Sequence, residues 1–121
     1  MPAILEQRLF LPCKDFARSI DFYTRLGWSQ RFKSDDLALM AFDQSLFFLQ
    51  KAWVEAWAHN TMVHLVVDDV NGWYEKLKRV KAEGGFNEVT VKAPQREAYG
   101  ALATHVLDPA GVLLFFAQMD A

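Results

Sequence analysis

Cys13 is the only cysteine among 121 residues, so no disulfide can form within the chain, and a reducing compartment fits. No apolar run is long enough to span a bilayer. The start, MPAILEQRLFLPCK, is interrupted by Glu6 and Arg8 and followed by no small-residue cleavage site, which argues against a signal peptide. The expected location is cytoplasmic. Neither sign of charge dominates: 13 Lys and Arg face 15 Asp and Glu, a formal net charge of −2, and no basic cluster lies along a predicted helix face. Neither nucleic acid nor membrane is an expected partner. There is no phosphate-cradling glycine motif, and Ser19, Ser45 and Thr104 have no visible base and orienting partner.

What is present is a pattern written twice. Asp15 to Trp28 (DFARSIDFYTRLGW) and Asp68 to Val80 (DDVNGWYEKLKRV) each follow an apolar run that reads as a strand. With Asp15 placed over Asp69, Phe16, Ile20, Tyr23 and Leu26 fall over Val70, Tyr74, Leu77 and Val80, the buried stripe of an amphipathic helix in both copies. Asp15 can cap the first helix, Gly27 is placed to stop it, and Gly84-Gly85 closes a second helix over about 70–83. Around the first helix, Ile4 to Cys13 reads as a strand, as do Trp28 to Lys33, Leu37 to Phe42 and Leu46 to Gln50. In the second half a strand starts near Thr61, Asn87 to Lys92 and Ala101 to Leu107 follow, and Pro94 to Gly100 is a loop. Each half ends on a Leu-Phe-Phe strand, in DQSLFFLQ and DPAGVLLFFAQ. The repeat offset grows by 14 residues between the helices and those final strands, so the second half carries the longer loop.

These pieces, with the Phe22-Tyr23 pair, HLVVDDV at 64–70 and the DPAG turn at 108–111, resemble the vicinal oxygen chelate superfamily of glyoxalases, dioxygenases and bleomycin resistance proteins. The resemblance implies an α+β fold: two βαβββ modules forming a curved, cup-like mixed sheet with helices on its outer face. One domain would span 1–121, with module one at about 4–51, a linker at about 52–60 and module two at about 61–121. It also implies a homodimer, which suits a short, hydrophobic chain.

In metal-dependent members the ligands come from the first and last strand of each module. The family spacing points here to Arg8, Met62, Phe115 and, through the repeat, Phe47. A permanently protonated guanidinium, a soft thioether and two phenyl rings make a poor site for a hard or borderline cation. The chain therefore resembles the metal-free, ligand-sequestering branch typified by bleomycin resistance proteins, with no cofactor.

Strand alternation puts Arg8, Phe10, Phe47, Met62, His64 and Phe115 on the cup side, His105 on the other face, and Cys13 towards the helix. Rings and a thioether suit a flat or apolar ligand, and Arg8 is placed for its anion, with Glu6 as the alternative partner. Trp53 and Trp57, at helical spacing in the linker, and Tyr99, in the long loop, are candidates to close the mouth; His59 reads as a solvated linker residue. The resulting expectation is a protein that sequesters a small organic molecule. The alternatives are an enzyme of the same fold, either a degenerate glyoxalase or dioxygenase or a metal-free isomerase or lyase using His64, and a structural or regulatory module with a vestigial pocket.

Overall fold

The computed structural model describes residues 1–121. Its elements run β1 (Leu9–Pro12), α1 (Phe16–Leu26), β2 (Ser29–Lys33), β3 (Leu37–Phe42), β4 (Ser45–Gln50), α2 (Glu55–His59), β5 (Met62–Val66), α3 (Val70–Gly84), β6 (Thr90–Val91), β7 (Gln95–Glu97), β8 (Ala101–Leu107) and β9 (Leu113–Met119). The α+β repeat is thus present, with β7 added within the segment expected to be a loop. The strand expected over Ile4 to Cys13 is shorter. Its parallel partner β4 begins at Ser45, and pairing starts at Leu9 opposite Phe47, so residues 1–8 lie outside the sheet and are exposed.

Both long helices start and stop where local chemistry dictates. The Asp15 and Asp69 side chains accept from the backbone N–H of Arg18 and Gly72, each satisfying a donor that the first turn leaves free. Gly27 (φ 122°) and Gly85 (φ 62°) end the helices in conformations that a side chain would strain. α1 buries Phe16, Ser19, Phe22, Tyr23 and Leu26, and α3 buries Val70, Leu77 and Val80.

Two sheets result, in the orders β1-β4-β3-β2 and β5-β9-β8-β6, with β7 pairing to β8. In each, the first and last strands of the module run parallel and the other pairs are antiparallel. β1 and β5 are free edges and do not hydrogen-bond to each other. One core joins the halves: Leu11, Met40, Phe47 and Leu49 of the first sheet belong to the same cluster as Val106, Leu114 and Phe116 of the second, and each long helix packs on its own module's sheet while touching the other helix. The Phe22 ring meets Phe86 edge-on at 5.3 Å. Arg18 pairs with Glu88 and donates to the Gly85 carbonyl at 2.8 Å. Because the helix sides of both sheets close on this core, their opposite faces turn away from it.

Within the buried part of the joint, Tyr23 and Asp108 make a polar contact. Tyr23 Oη donates to Asp108 Oδ2 at 2.7 Å, and Asp108 Oδ1 accepts from the backbone N–H of Ala110 and Val112 at 2.8 and 3.0 Å. Burial pushes the Asp108 carboxyl up to about 6 even though these donors pull it down. Tyr23 is raised well above a free phenol, chiefly by burial and then by Asp108. The DPAG turn is closed by Gly111 (φ 90°), where a Cβ would lie 2.6 Å from the His59 ring. His59 packs on this turn and edges Trp53 at 6.3 Å, so its role is structural and not that of a solvated residue.

Candidate functional site

Two kinds of surface compete as the site. The first is a cavity of about 940 Å³ between the start of β4 and β5, with Trp28, Phe42, Trp73 and Phe116 among its walls and Leu5 to Gln7 at its rim. It lies on the helix side of the sheets. β5 is an edge strand, so residues of both its faces, Val63 to Val67, border the opening. Of the residues expected at the site, Phe47 and His64 line this cavity; Arg8, Phe10, Met62, Trp53, Trp57, Tyr99 and Phe115 do not. Lys76 lies over Trp73 and Phe42, at 5.0 and 5.5 Å from the ring centroids.

The second is the pair of outer sheet faces. On the first sheet Phe10 pairs in register with Phe48, Phe48 with Leu39 and Leu39 with Phe32, so these four share one face. Phe10 stacks on Phe48 at 4.8 Å and is still 56% exposed. Phe47, expected on this face, is on the other: it pairs with Leu9 and is buried against Tyr23 and Trp28. The cause is a one-residue difference between the repeats. Phe10 and His64 correspond through the helix caps, and their strand partners are Phe48 and Phe115, so the two Leu-Phe-Phe segments are not equivalent residue for residue. A shift of one residue moves a side chain to the opposite face.

On the second sheet His64 pairs with Phe115, and Phe115 with His105. His105 therefore shares the face of His64, contrary to the expectation from the turn, because β8 and β9 pair Leu107 with Leu113 around a longer connection than a tight hairpin. Its Nε2 lies 2.6 Å from Glu97 Oε1, and its ring meets Phe115 at 4.6 Å. His64 Nε2 lies 2.9 Å from Tyr99 Oη. Met62, 63% exposed, is on the same face two residues before His64.

The remaining expected residues are dispersed. Arg8 is paired with Glu6, with Nε at 2.6 Å from Oε1, and its guanidinium lies 5.8 Å from the Phe48 centroid. Trp53 precedes α2: its indole N–H donates to the Ala110 carbonyl at 2.9 Å and Lys14 lies 4.8 Å over its ring, which anchors it to the DPAG turn and not to a mouth. Trp57, 73% exposed, does not share a helix face with it, since Trp53 lies outside the helix. Cys13 is buried as expected, and burial pushes its thiol up to about 12, which suppresses the nucleophilic thiolate. Glu97, Phe48 and His105 are the contributors not expected: Glu97 had no sequence signal, and strand register alone puts Phe48 beside Phe10 and His105 beside Phe115.

The metal positions of the fold do not fit a metal here. Arg8, Met62, Phe115 and either phenylalanine of β4 supply no suitable donor set, and no group of three or more His, Cys, Asp or Glu side chains is placed to hold an ion.

Several solved structures share this fold at low identity. A bleomycin resistance determinant encoded on the transposon Tn5 is 22% identical, over 96% of this chain and 98% of that one, with a TM-score of 0.76. A bleomycin-binding protein from the bleomycin-producing Streptomyces verticillus, complexed with copper(II)-bleomycin, is 20% identical over 99% and 100%, with a TM-score of 0.81. TnmS3, an antibiotic binding protein from Streptomyces sp. CB03234, is 20% identical over 99% of both chains, with a TM-score of 0.76. No curated protein matches the chain. The model of the Glyoxalase/Bleomycin resistance protein/Dioxygenase superfamily matches residues 7–116, nearly the whole of the sequence, and the chain belongs to that superfamily.

Proposed function

We propose that the protein binds a small, flat organic molecule without a metal, on the outer sheet faces, in a cup completed by a second copy. The observation that carries this reading is the placement of unshielded rings and a thioether on those faces. Phe10, Phe32 and Met62 are 56%, 50% and 63% exposed, although nothing in the chain's own packing requires large apolar groups there. Within one chain the two faces turn away from the shared core, so Phe10 and Phe48 cannot converge with Met62 and Phe115 on one ligand. A two-fold partner can set the first face of one copy opposite the second face of the other. Such pairing also shields hydrocarbon and the free edges of β1 and β5. The relatives that bind bleomycin or another antibiotic support a binding role, and the absence of a fitting donor set at the fold's metal positions supports a metal-free one.

Three measurements test this. Light scattering at micromolar concentration is expected to give twice the chain mass, and elemental analysis after expression in metal-replete medium is expected to find no stoichiometric divalent metal. Calorimetric titration with 2-methoxynaphthalene is expected to saturate at one probe per chain. A persistent monomer, a retained metal near one per chain, or no saturable binding overturns the corresponding part.

A further inference from the structure

The second outer face carries more than hydrocarbon. His64, Phe115 and His105 form one cross-strand row on β5, β9 and β8, with the phenyl ring between two imidazoles. Each imidazole is held by a different side chain from a single short stretch: Glu97 at the end of β7 and Tyr99 in the turn after it. Gly100 (φ 90°) makes the turn that returns this stretch to β8. On the same face Ala101, Ala103 and Ala117 form a small, fully buried cluster. The His105 and Glu97 side chains are 21% and 18% exposed, whereas Tyr99 is 53% exposed.

The chemistry of the His105 pair is directional. A carboxylate only accepts, so the hydrogen in the 2.6 Å contact belongs to His105 Nε2. In the neutral ring this leaves Nδ1 with a lone pair. Nδ1 has no protein partner, and it is not among the buried unpartnered atoms, which are Ser19 Oγ and Thr104 Oγ1. The result is an oriented acceptor beside a ring, on a surface open to a ligand. His64 adds a second ring nitrogen, its Nε2 engaged by Tyr99 and its Nδ1 without a protein partner.

We infer that the Glu97–His105 pair is a specificity element that selects planar ligands carrying an O–H or N–H donor on one edge: the ring packs over Phe115 and the donor is received by His105 Nδ1. This rests on the proposed binding role and names the ligand class for it. Glu97 acts as a positioning residue by holding the tautomer. Calorimetry with 2-naphthol and 2-methoxynaphthalene tests it, because the two probes share a ring system and differ in the donor. The wild-type protein is expected to bind 2-naphthol about tenfold more tightly, the worth of one well-made hydrogen bond. Glu97→Gln, which keeps the size but frees the tautomer, and His105→Phe, which keeps a ring but removes the acceptor, are expected to reduce that preference to about twofold or less, chiefly by weakening 2-naphthol. Circular dichroism of each variant confirms that it is folded; should His105→Phe not fold, Glu97→Gln decides alone. Equal binding of both probes by the wild type overturns this inference and leaves the binding role standing. A preference that survives Glu97→Gln also overturns it. Binding of neither probe overturns the binding role and this inference with it.

Discussion

The outer faces of the two sheets are built on the same topology and differ in chemistry. The first presents Phe10, Phe32, Leu39 and Phe48, with Arg8 and Glu6 paired at its margin. The second interleaves Met62, His64, Phe115 and His105 with Glu97 and Tyr99, over small residues. A repeated fold thus repeats its core without repeating its surface. The difference arises from the extra chain between α3 and β8, which lies where it can add a carboxylate and a phenol to the second face. The first module has only the short β2–β3 and β3–β4 turns and can supply nothing similar.

The sharpest way to probe that contrast uses neighbouring residues. Phe47 faces the core and is 3% exposed, whereas Phe48 faces outward beneath Phe10. Phe47→Ala is expected to lower unfolding stability by about 3–5 kcal/mol, because it leaves a cavity in a packed core, and Phe48→Ala by only about 1–2 kcal/mol. Chemical denaturation of both variants checks this. Equal losses would show that the assigned register is wrong.

The joint that turns the two faces apart should respond to pH. Folding raises Asp108 from 3.8 to about 6, so the folded state holds this proton more tightly than the unfolded chain does. The associated stability is fully present below about pH 4 and is lost as pH rises through about 6, a change of up to roughly 3 kcal/mol. Asp108→Asn retains acceptors for the turn amides but cannot ionise. The wild-type stability minus that of the variant is therefore expected to fall between pH 4 and 6, and a flat difference would remove Asp108 from the account. Taking the difference matters because Glu88 and Asp120 are shifted down by Arg18 and Arg96 and act with the opposite sign.

A smaller effect separates the hydrocarbon face from the polar one. Phe10→Glu places a charge in the proposed contact between copies and is expected to raise the dimer dissociation constant at least tenfold, about 1.4 kcal/mol, in sedimentation experiments. Tyr99→Phe on the other face is expected to leave dimerisation unchanged. If the second substitution dissociates the dimer and the first does not, the roles of the two faces are reversed. Smallest of all, Arg8→Ala is expected to change stability by no more than about 0.5 kcal/mol, since both partners of its ion pair are about two-fifths exposed. Thermal melts of wild type and variant measure this directly.

The sequence by itself determined the units of the fold. Two aspartate caps and two closing glycines are found where they were expected, and the two apolar stripes of helical period are buried except at Ile20 and Tyr74, which are only partly covered. The non-ligating character of Arg8, Met62 and Phe115 was also legible, because it depends on side-chain chemistry alone. Only the tertiary structure decided which faces those units show. Strand period is two, so the single-residue difference between the β4 and β9 repeats sent Phe47 inward and Phe48 outward, and apparent similarity of the Leu-Phe-Phe segments could not reveal it. The partners of His64 and His105 lie 35 and 8 residues away in the chain and meet them only through pairing of β7, β8 and β9. The shared core likewise turned the two outer faces apart, an outcome of long-range packing that no local pattern encodes.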